Sequence, residues 1–241
     1  MDYGLQLYSV RDCMAKDFEG TLKAVSEMGY KFVEFAGFFG KSAEEVKTIL
    51  DKYNLEVSGT HSPLKDLIEN YDETVAYHKA IGNKNYIIPG HPLWSQEEID
   101  YFVENVNALI PKLKEDGITL GFHNHFREFE RNTDGSFPYD QLIYRTDIKF
   151  ELDTYWSFVA MKRSEDILKR LGDRIIFAHM KDGIELQGKP LGLGGAPVKF
   201  YYEKVKEMGI PMVVESETCT PNGLSEAKIC IDFLKAVEES L

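Results

Sequence analysis

A unit in which an amphipathic segment ends in glycine and continues at once into a β-rich segment recurs along this chain. It appears as SEMGYKFVEF, KAIGNKNYIIP, KEDGITLGFH and KEMGIPMVVE. A glycine just past a helix adopts the left-handed backbone conformation without a Cβ penalty. The Val, Ile, Phe and Tyr residues that follow it favour a buried strand. Each unit therefore predicts a helix that is followed directly by a strand.

Signals for helix starts complete this pattern. Ser42 with Glu45 and Ser95 with Glu98 fit capping boxes, and Asp17 precedes a run of apolar residues at helical spacing. The strand candidates between these signals are residues 5–9, 32–35, 56–60, 85–89, 119–123, 149–153, 175–178 and 212–215. Each is followed by a helical pattern, and the chain length corresponds to about 30 residues per unit, which suits a βα repeat.

Eight such units predict an α/β fold, a (β/α)₈ barrel in a single domain over residues 1–241. A doubly wound open sheet is the main alternative, but it would show fewer strands. A dinucleotide-binding version would also carry GxGxxG after its first strand, where this chain has SVRDCMAKD. Pro111 interrupts the long helical pattern 95–117, so we expect a kink or two helices there.

Composition narrows the class of partner. The formal net charge of −12 disfavours nucleic acid, which binds through Lys and Arg. Three scattered cysteines support neither a disulfide framework nor a thiolate zinc site. No segment resembles a signal peptide or reaches the length of a membrane helix, so we expect a cytoplasmic protein with a small-molecule substrate. A homo-oligomer would be ordinary for this fold.

Polar residues follow the last four predicted strands, where a barrel of this kind carries its chemistry. These residues are His123, Asp153, His179 and Glu215, at spacings of 30, 26 and 36 residues. They come from adjacent strands and can converge on one point. Each would cost several kcal/mol if buried without a partner, and a shared cation removes that cost. Two imidazoles and two carboxylates suit Mn²⁺, Co²⁺, Zn²⁺ or Fe²⁺, and Mg²⁺ less well.

Other strand ends carry further candidates for the mouth of the barrel. Arg11 follows the first strand, Glu34 lies on the second, and His61 ends the third. For Glu34, an ion pair with Arg11 or Lys181 is as good an interpretation as substrate contact. Trp156 follows Asp153 and fits either the core or a pocket wall that packs on a sugar ring.

At these positions the chain resembles the xylose isomerase-like superfamily of TIM barrels, specifically the sugar phosphate isomerases/epimerases. The resemblance runs from end to end. It is carried by LQLYSVRD, MGYKFVEFAG, GFHNHFREFE, ELDTYWSFVA, AHMKD, GLGG and VVESE. It implies one metal held by a strand-five residue together with Asp153, His179 and Glu215, and a substrate chelated through neighbouring oxygens. Members include ketose epimerases, aldose-ketose isomerases and inosose dehydratases, and the superfamily extends to metal-dependent endonucleases.

One departure from the family pattern bears on mechanism. In the ketose epimerases the strand-five ligand is a glutamate, and two glutamates move the proton; here His123 occupies that place, with His125 two residues on. Either His123 ligates and His125 or Lys181 takes over proton transfer, or the metal is weakly held and the chemistry differs. The GLGG turn continues as APVKF, where relatives often have an acidic residue, so the contacts of that turn do not carry over.

The leading hypothesis is metal-assisted proton abstraction next to a sugar carbonyl, as in an isomerase or epimerase. The catalytic candidates are Glu215 as first choice of base, His125 as second, and Lys181. The candidates for substrate binding are Arg11, Glu34, His61 and Trp156. A dehydratase or lyase could use the same metal site. A nuclease would need more ligands and a basic groove, and a sugar-binding barrel without catalysis is the remaining alternative.

Overall fold

Eight parallel strands close into a barrel in the computed structural model, which describes residues 1–241. The whole chain has ten strands, eight in the barrel and two in a hairpin: β1 (Tyr3–Gln6), β2 (Phe32–Phe35), β3 (Glu56–His61), β4 (Asn85–Ile88), β5 (Thr119–His123), β6 (Lys149–Asp153), β7 (Ile175–Met180), β8 (Asp182–Ile184), β9 (Gln187–Lys189) and β10 (Met212–Val214). Around the barrel the order is β1 to β7 and then β10, which pairs with β1. Strands β8 and β9 form a separate antiparallel hairpin after β7. The expected barrel is therefore confirmed.

Helices surround the barrel in alternation with its strands. They are α1 (Arg11–Met14), α2 (Phe18–Met28), α3 (Ala43–Tyr53), α4 (Leu64–Glu69), α5 (Tyr71–Ala80), α6 (Gln96–Glu115), α7 (Pro138–Arg145), α8 (Thr154–Val159), α9 (Ser164–Leu171), α10 (Val198–Glu207) and α11 (Gly223–Glu239). Single turns of 3₁₀ helix occupy Leu7–Val10, Arg127–Phe129 and Gly172–Arg174. None of the helices combines the length and hydropathy of a membrane span.

The local signals act as the sequence indicates. The four junction glycines all have positive φ; they are Gly29, Gly82, Gly117 and Gly209. Ser42 and Glu45 form a complete capping box at α3. Ser95 also caps α6, but the carboxylate of Glu98 accepts a hydrogen bond from the backbone of Trp94 and not from that of Ser95.

The first strand has wrong predicted bounds, and of the two alternatives expected at Pro111, a kink or two helices, the division into two helices does not occur. The first strand is Tyr3–Gln6 and not 5–9, because the side chain of Gln6 accepts a hydrogen bond from the backbone of Tyr8 and starts a 3₁₀ turn. Helix α6 continues through Pro111 and is not divided into two helices. Proline removes only one backbone donor, and the buried side chains of Leu109 and Leu113 hold both sides of this position against the core.

The strand register brings the polar residues of β5, β6 and β7 to two levels inside the barrel. His123 pairs with Glu151 across β5 and β6, and Asp153 pairs with His179 across β6 and β7. Side chains two apart on one strand face the same way, so Glu151 and Asp153 both point into the barrel. The chain therefore has a polar barrel interior near the carboxyl ends of its strands.

Candidate functional site

Four buried side chains converge at the carboxyl ends of the last barrel strands, and we call them the upper cluster. They are His123, Asp153, His179 and Glu215, and their ligand-type atoms lie within 4.8 Å of one another. Nε2 of His123 is 3.9 Å from Oδ2 of Asp153, and Nδ1 of His179 is 3.4 Å from Oε2 of Glu215. These are the four residues expected to converge.

Asp153 carries the clearest sign that a cation fits this cluster. Its Oδ1 accepts a hydrogen bond from the backbone of Trp156 at 2.9 Å, but its buried Oδ2 has no partner. Burial raises the pKa of the Asp153 carboxyl to about 7. A buried carboxylate oxygen without a donor is costly, and a cation at this point would satisfy it. The mixed donor set is one that a divalent transition metal binds.

A second level of polar side chains lies directly beneath, and we call it the lower cluster. It consists of Glu34, His61 and Glu151 together with the lower edges of His123 and His179. Oε2 of Glu151 is 2.7 Å from Nε2 of His61 and 3.1 Å from Nδ1 of His123. Nε2 of His179 is 2.8 Å from Oε2 of Glu34 and 3.1 Å from Oε1 of Glu151.

Glu151 is a site residue that was not among the candidates expected from the sequence. The sequence does contain its signal, because Glu151 precedes Asp153 by two positions on a strand and must share its face. Glu34 does not pair with Arg11 or Lys181, the partners considered from the sequence. Its partners are His61, His179 and Gln6, whose Nε2 donates to Glu34 at 2.7 Å.

Burial and mutual charge set the protonation of the two clusters. Burial, and then the charge of Glu151, raise the pKa of Glu34 to about 7. Burial also holds the pKa of His123 well below its usual range. For His179, burial alone would lower the pKa, but the carboxylates of Glu151 and Glu34 outweigh it and raise the pKa well above its usual range. The lower cluster thus concentrates negative charge beneath the ligand-type imidazoles.

Lys181 is fully buried at the edge of the upper cluster. Its Nζ lies 3.1 Å from Oε2 of Glu215, 2.6 Å from Oε1 of Glu217 and 4.6 Å from the ring centre of Trp156. Although burial opposes it, the charges of Glu215 and Asp153 raise the pKa of Lys181, so the ammonium form persists. Burial would also raise the pKa of Glu215, but Lys181 and His179 hold it well below its usual range. Glu217 was not expected from the sequence.

His125 and Arg11 lie outside both clusters. The His125 ring centre is 5.0 Å from that of His123 and 5.7 Å from that of Trp156. Burial, followed by the charge of Lys181, lowers the pKa of His125 to about 4, so its imidazole is neutral near pH 7. Arg11 donates to the backbone carbonyls of Tyr8 and Glu217, both at 2.8 Å. It braces the loop after β10 and makes no contact with Glu34.

A separate cavity lies elsewhere on the molecule. It has a volume of about 740 Å³ and lies between α8, the β8–β9 hairpin and α10, where Phe158, Leu186 and Phe200 line it. It shares no residue with the upper or lower cluster. This cavity and the two clusters are therefore separate features of the fold.

Known proteins share this architecture. A sugar phosphate isomerase/epimerase from Parabacteroides distasonis ATCC 8503 superposes with a TM-score of 0.85 at 23% identity, over 96% of each chain. A protein called IOLI, whose crystal structure contains a bound zinc atom, superposes with a TM-score of 0.78 at 11% identity, over 98% of each chain. At these identities the similarity shows the fold alone.

The sequence also matches inosose dehydratase from Mesomycoplasma hyopneumoniae strain 7448. The two are 24% identical over 189 residues, which is 68% of this chain and 62% of the relative. The chain thus spans less than two thirds of that relative's length. The family model described as xylose isomerase-like TIM barrel matches residues 22–237. The chain therefore belongs to the xylose isomerase-like TIM barrel family.

Proposed function

We propose that this protein is a metal-dependent sugar or sugar phosphate isomerase or epimerase that moves a proton next to a carbonyl group. The observation that carries the proposal is the partnerless Oδ2 of Asp153, buried among two imidazoles and a second carboxylate. Without a cation, burial of this unpaired carboxylate oxygen costs free energy of folding. Membership of the xylose isomerase-like family supports an enzymatic role for the cation.

One divalent ion would be held by His123, Asp153, His179 and Glu215, with His123 and not His125 from strand β5. His123 belongs to the upper cluster, whereas His125 lies beside it. The donor set favours Mn²⁺, Co²⁺, Zn²⁺ or Fe²⁺ over Mg²⁺. A bound ion of this kind stabilises negative charge on a carbonyl or hydroxyl oxygen by several kcal/mol.

Glu215 is our first choice of base. Lys181 and His179 keep its carboxyl group ionised, and an ionised carboxylate can accept the α-proton. His125 is the second base, because its neutral imidazole can accept a proton and its ring packs against Trp156. Two bases would allow the proton to leave one carbon and return to another, or to the opposite face. Lys181 would stabilise developing negative charge as a fixed ammonium group.

Substrate contacts are assigned from position. We assign Arg11 and Trp156 to the substrate, since both lie beside the loops that follow β1, β6 and β10 at the mouth. Glu34 and His61 were also candidates, but Oε2 of Glu34 and Nε2 of His61 are engaged in the lower cluster. We therefore assign them to support of the ligands, a role taken up below.

A keto-sugar or inosose-type dehydratase is the second candidate. The similarity to inosose dehydratase favours it, and so does His123, which leaves the upper cluster with fewer carboxylates than the two-glutamate epimerases use. Both reactions begin with removal of an α-proton. They differ in the next step, because elimination expels a hydroxyl group that Lys181 or His125 would have to protonate.

The experiment measures metal content and proton exchange together. Purified wild-type protein, Asp153→Asn, Glu215→Gln and the surface control Asp116→Asn are analysed for metal and incubated with ketoses and inososes in D₂O. We expect about one metal per chain and deuterium incorporation in wild type and control, and loss of both in Asp153→Asn. Deuterium exchange without loss of water indicates isomerisation or epimerisation, and loss of water indicates the dehydratase. Wild-type protein that takes up no metal after reconstitution would refute both.

A further inference from the structure

His123 and His179 each face both clusters, with one ring nitrogen toward each level. His123 directs Nε2 toward Asp153 above and Nδ1 toward Glu151 below. His179 does the reverse, with Nδ1 toward Glu215 above and Nε2 toward Glu34 and Glu151 below. A neutral imidazole in this position presents its lone pair to one level and its N–H to the other.

The upper cluster has nearly the spacing of ligands around one cation. A cation with bonds of about 2.0 to 2.2 Å holds neighbouring ligand atoms roughly 3.0 to 3.6 Å apart. The upper gaps, 3.4 Å between His179 and Glu215 and 3.9 Å between His123 and Asp153, are close to this range. At the lower level, Nε2 of His61 and Nδ1 of His123 hydrogen-bond to Oε2 of Glu151 at 2.7 and 3.1 Å, and Nε2 of His179 lies at an ion-pair distance of 3.1 Å from Oε1 of Glu151.

We propose that Glu151 is a positioning residue that accepts the ring N–H of His123 and shares the ring N–H of His179 with Glu34, so that His123 ligates through Nε2 and His179 through Nδ1. This inference rests on the metal site of the proposed function and specifies its ligand atoms. The lower cluster is then a hydrogen-bonded support, with Glu34 as a second acceptor for His179 and His61 as a further donor to Glu151.

With a cation in the upper cluster, the ring nitrogens of His123 and His179 that face the lower level carry protons, which excludes a second cation there. A neutral imidazole has one N–H and one lone pair. If the upper nitrogens of His123 and His179 bind a cation, their lower nitrogens carry protons and cannot ligate another. The lower group of His61, His123, Glu151 and His179 has residue types that bind metals, and its ligand-type atoms also lie within 4.8 Å of one another. Two of its three imidazoles nevertheless present hydrogens.

Glu151 is singled out because it is the one carboxylate within ion-pair distance of both ligand imidazoles. Glu34 reaches His179 and His61 but not His123, and it also accepts from Gln6. A carboxylate that accepts the second N–H of a ligand histidine fixes its tautomer and raises its basicity. Glu151 thus gives His123 part of the anionic character that a glutamate ligand on strand β5 would have supplied.

The test is a Co²⁺ titration of metal-free protein, followed by visible absorption and by thermal unfolding. Wild type is expected to bind one Co²⁺ per chain. Glu151→Gln should still bind one, with an affinity weakened about 10- to 100-fold and an altered Co²⁺ spectrum. The matched control is Glu226→Gln, which removes another fully buried carboxylate whose partners are Ser216, Thr218 and the backbone of Thr220 and no imidazole. Its affinity should be that of wild type.

Several outcomes would overturn the inference. Two Co²⁺ ions in wild type and one in Glu151→Gln would make the lower cluster a second metal site. An unchanged affinity in Glu151→Gln, or an equal loss in Glu226→Gln, would remove the specific role of Glu151 while leaving the proposed metal site intact. Wild type that binds no Co²⁺ would instead refute the proposed function.

If Glu151→Gln does not fold, histidine ¹⁵N NMR of wild type decides the question. With Zn²⁺ bound, the proposal requires a protonated Nδ1 on His123 and a protonated Nε2 on His179, both protected from exchange with solvent. Ligation of both rings through the same type of nitrogen would contradict it. Loss of both ring protons from either histidine would do so as well.

Discussion

Nζ of Lys181 lies 3.1 Å from Oε2 of Glu215, and the lysine side chain is completely shielded from solvent. Glu217 contacts the same ammonium group from the rim, with 28% of its side chain exposed. The positive charge of Lys181 therefore compensates the negative charges of buried Glu215 and partly exposed Glu217. Removing one partner of a buried ion pair leaves the other charge uncompensated.

Lys181→Met is accordingly expected to destabilise the metal-free protein by about 3 to 5 kcal/mol. Urea unfolding measures this loss. In the double variant Lys181→Met with Glu217→Gln part of the stability should return, because one of the opposing carboxylates is gone. A loss below about 1 kcal/mol in Lys181→Met, as at an exposed ion pair, would contradict the buried arrangement.

Asp153→Asn should change stability in opposite directions with and without metal. In metal-free protein the variant removes a buried charge on an oxygen without a donor, so we expect a gain on the order of 1 to 3 kcal/mol. Wild type should gain about 2.7 kcal/mol when Zn²⁺ is present at 100 times its Kd. The variant should gain nothing.

Thermal unfolding in chelator and in Zn²⁺ measures both effects of Asp153→Asn. Asn can still accept the hydrogen bond from the backbone of Trp156, so the N-terminus of α8 keeps its cap. A Zn²⁺-dependent rise in the melting temperature of the variant, equal to that of wild type, would mean that Asp153 is not a ligand.

The barrel and the upper cluster were accessible from the sequence because their signals are local. Strands β5 and β6 have the predicted bounds, since each begins after a recognisable break and ends at a polar residue. Residues at the ends of adjacent parallel strands must meet, so strand-end position alone predicts that His123, Asp153 and His179 converge. This step needs no knowledge of side-chain conformation.

The lower cluster was harder to predict because it depends on register and rotamer. Glu34 reaches His179 from the opposite side of the barrel, and Gly59 leaves the room, since a Cβ there would lie 2.9 Å from Oε1 of Glu34. Arg11 likewise turns toward backbone carbonyls, a choice that no spacing reveals. Period-two alternation would have found Glu151, but not its three imidazole partners.

His78 is expected to make stability depend on pH independently of the site. It is buried outside the barrel, where its Nδ1 is 3.0 Å from Nδ2 of Asn83, and burial lowers its pKa from 6.5 to about 4. Between pH 6.5 and about pH 4, His78 is protonated in the unfolded chain and neutral in the folded chain. The contribution of His78 is therefore present above the unfolded pKa and is lost as pH falls toward the folded pKa, by up to about 1.4 kcal/mol per pH unit.

His78→Gln should therefore be less stable than wild type near pH 7, because its contacts with Asn83 are altered, but the difference should narrow toward pH 5. Urea unfolding at several pH values measures both curves. Comparing the two proteins cancels the contribution of His125, whose pKa is also about 4 and whose environment the substitution does not touch. Parallel stability curves would show that folding does not shift the pKa of His78.

The side-chain carboxylate of Asp182 holds the glycine-rich turn after β9 by accepting hydrogen bonds from backbone N–H groups. Its carboxylate accepts the N–H groups of Gly183, Gly192, Gly194 and Ala196 at 2.8 to 3.0 Å. A Cβ on Gly194 would lie 2.1 Å from Oδ1, so the turn closes tightly around the carboxylate. Amides arranged in this way often bind a phosphate, but here a side chain already satisfies them.

Asp182→Ala is expected to leave these donors without a partner and to cost at least about 3 kcal/mol, whereas Asp182→Asn keeps one acceptor oxygen and should lose less. Hydrogen exchange of the amides at 192, 194 and 196 reports the opening directly, and it should accelerate in the order wild type, Asn, Ala. Inorganic phosphate should leave the wild-type rates unchanged, because the carboxylate occupies the place of an anion. Slower exchange with phosphate in wild type would mean that this turn binds a phosphate group of the substrate.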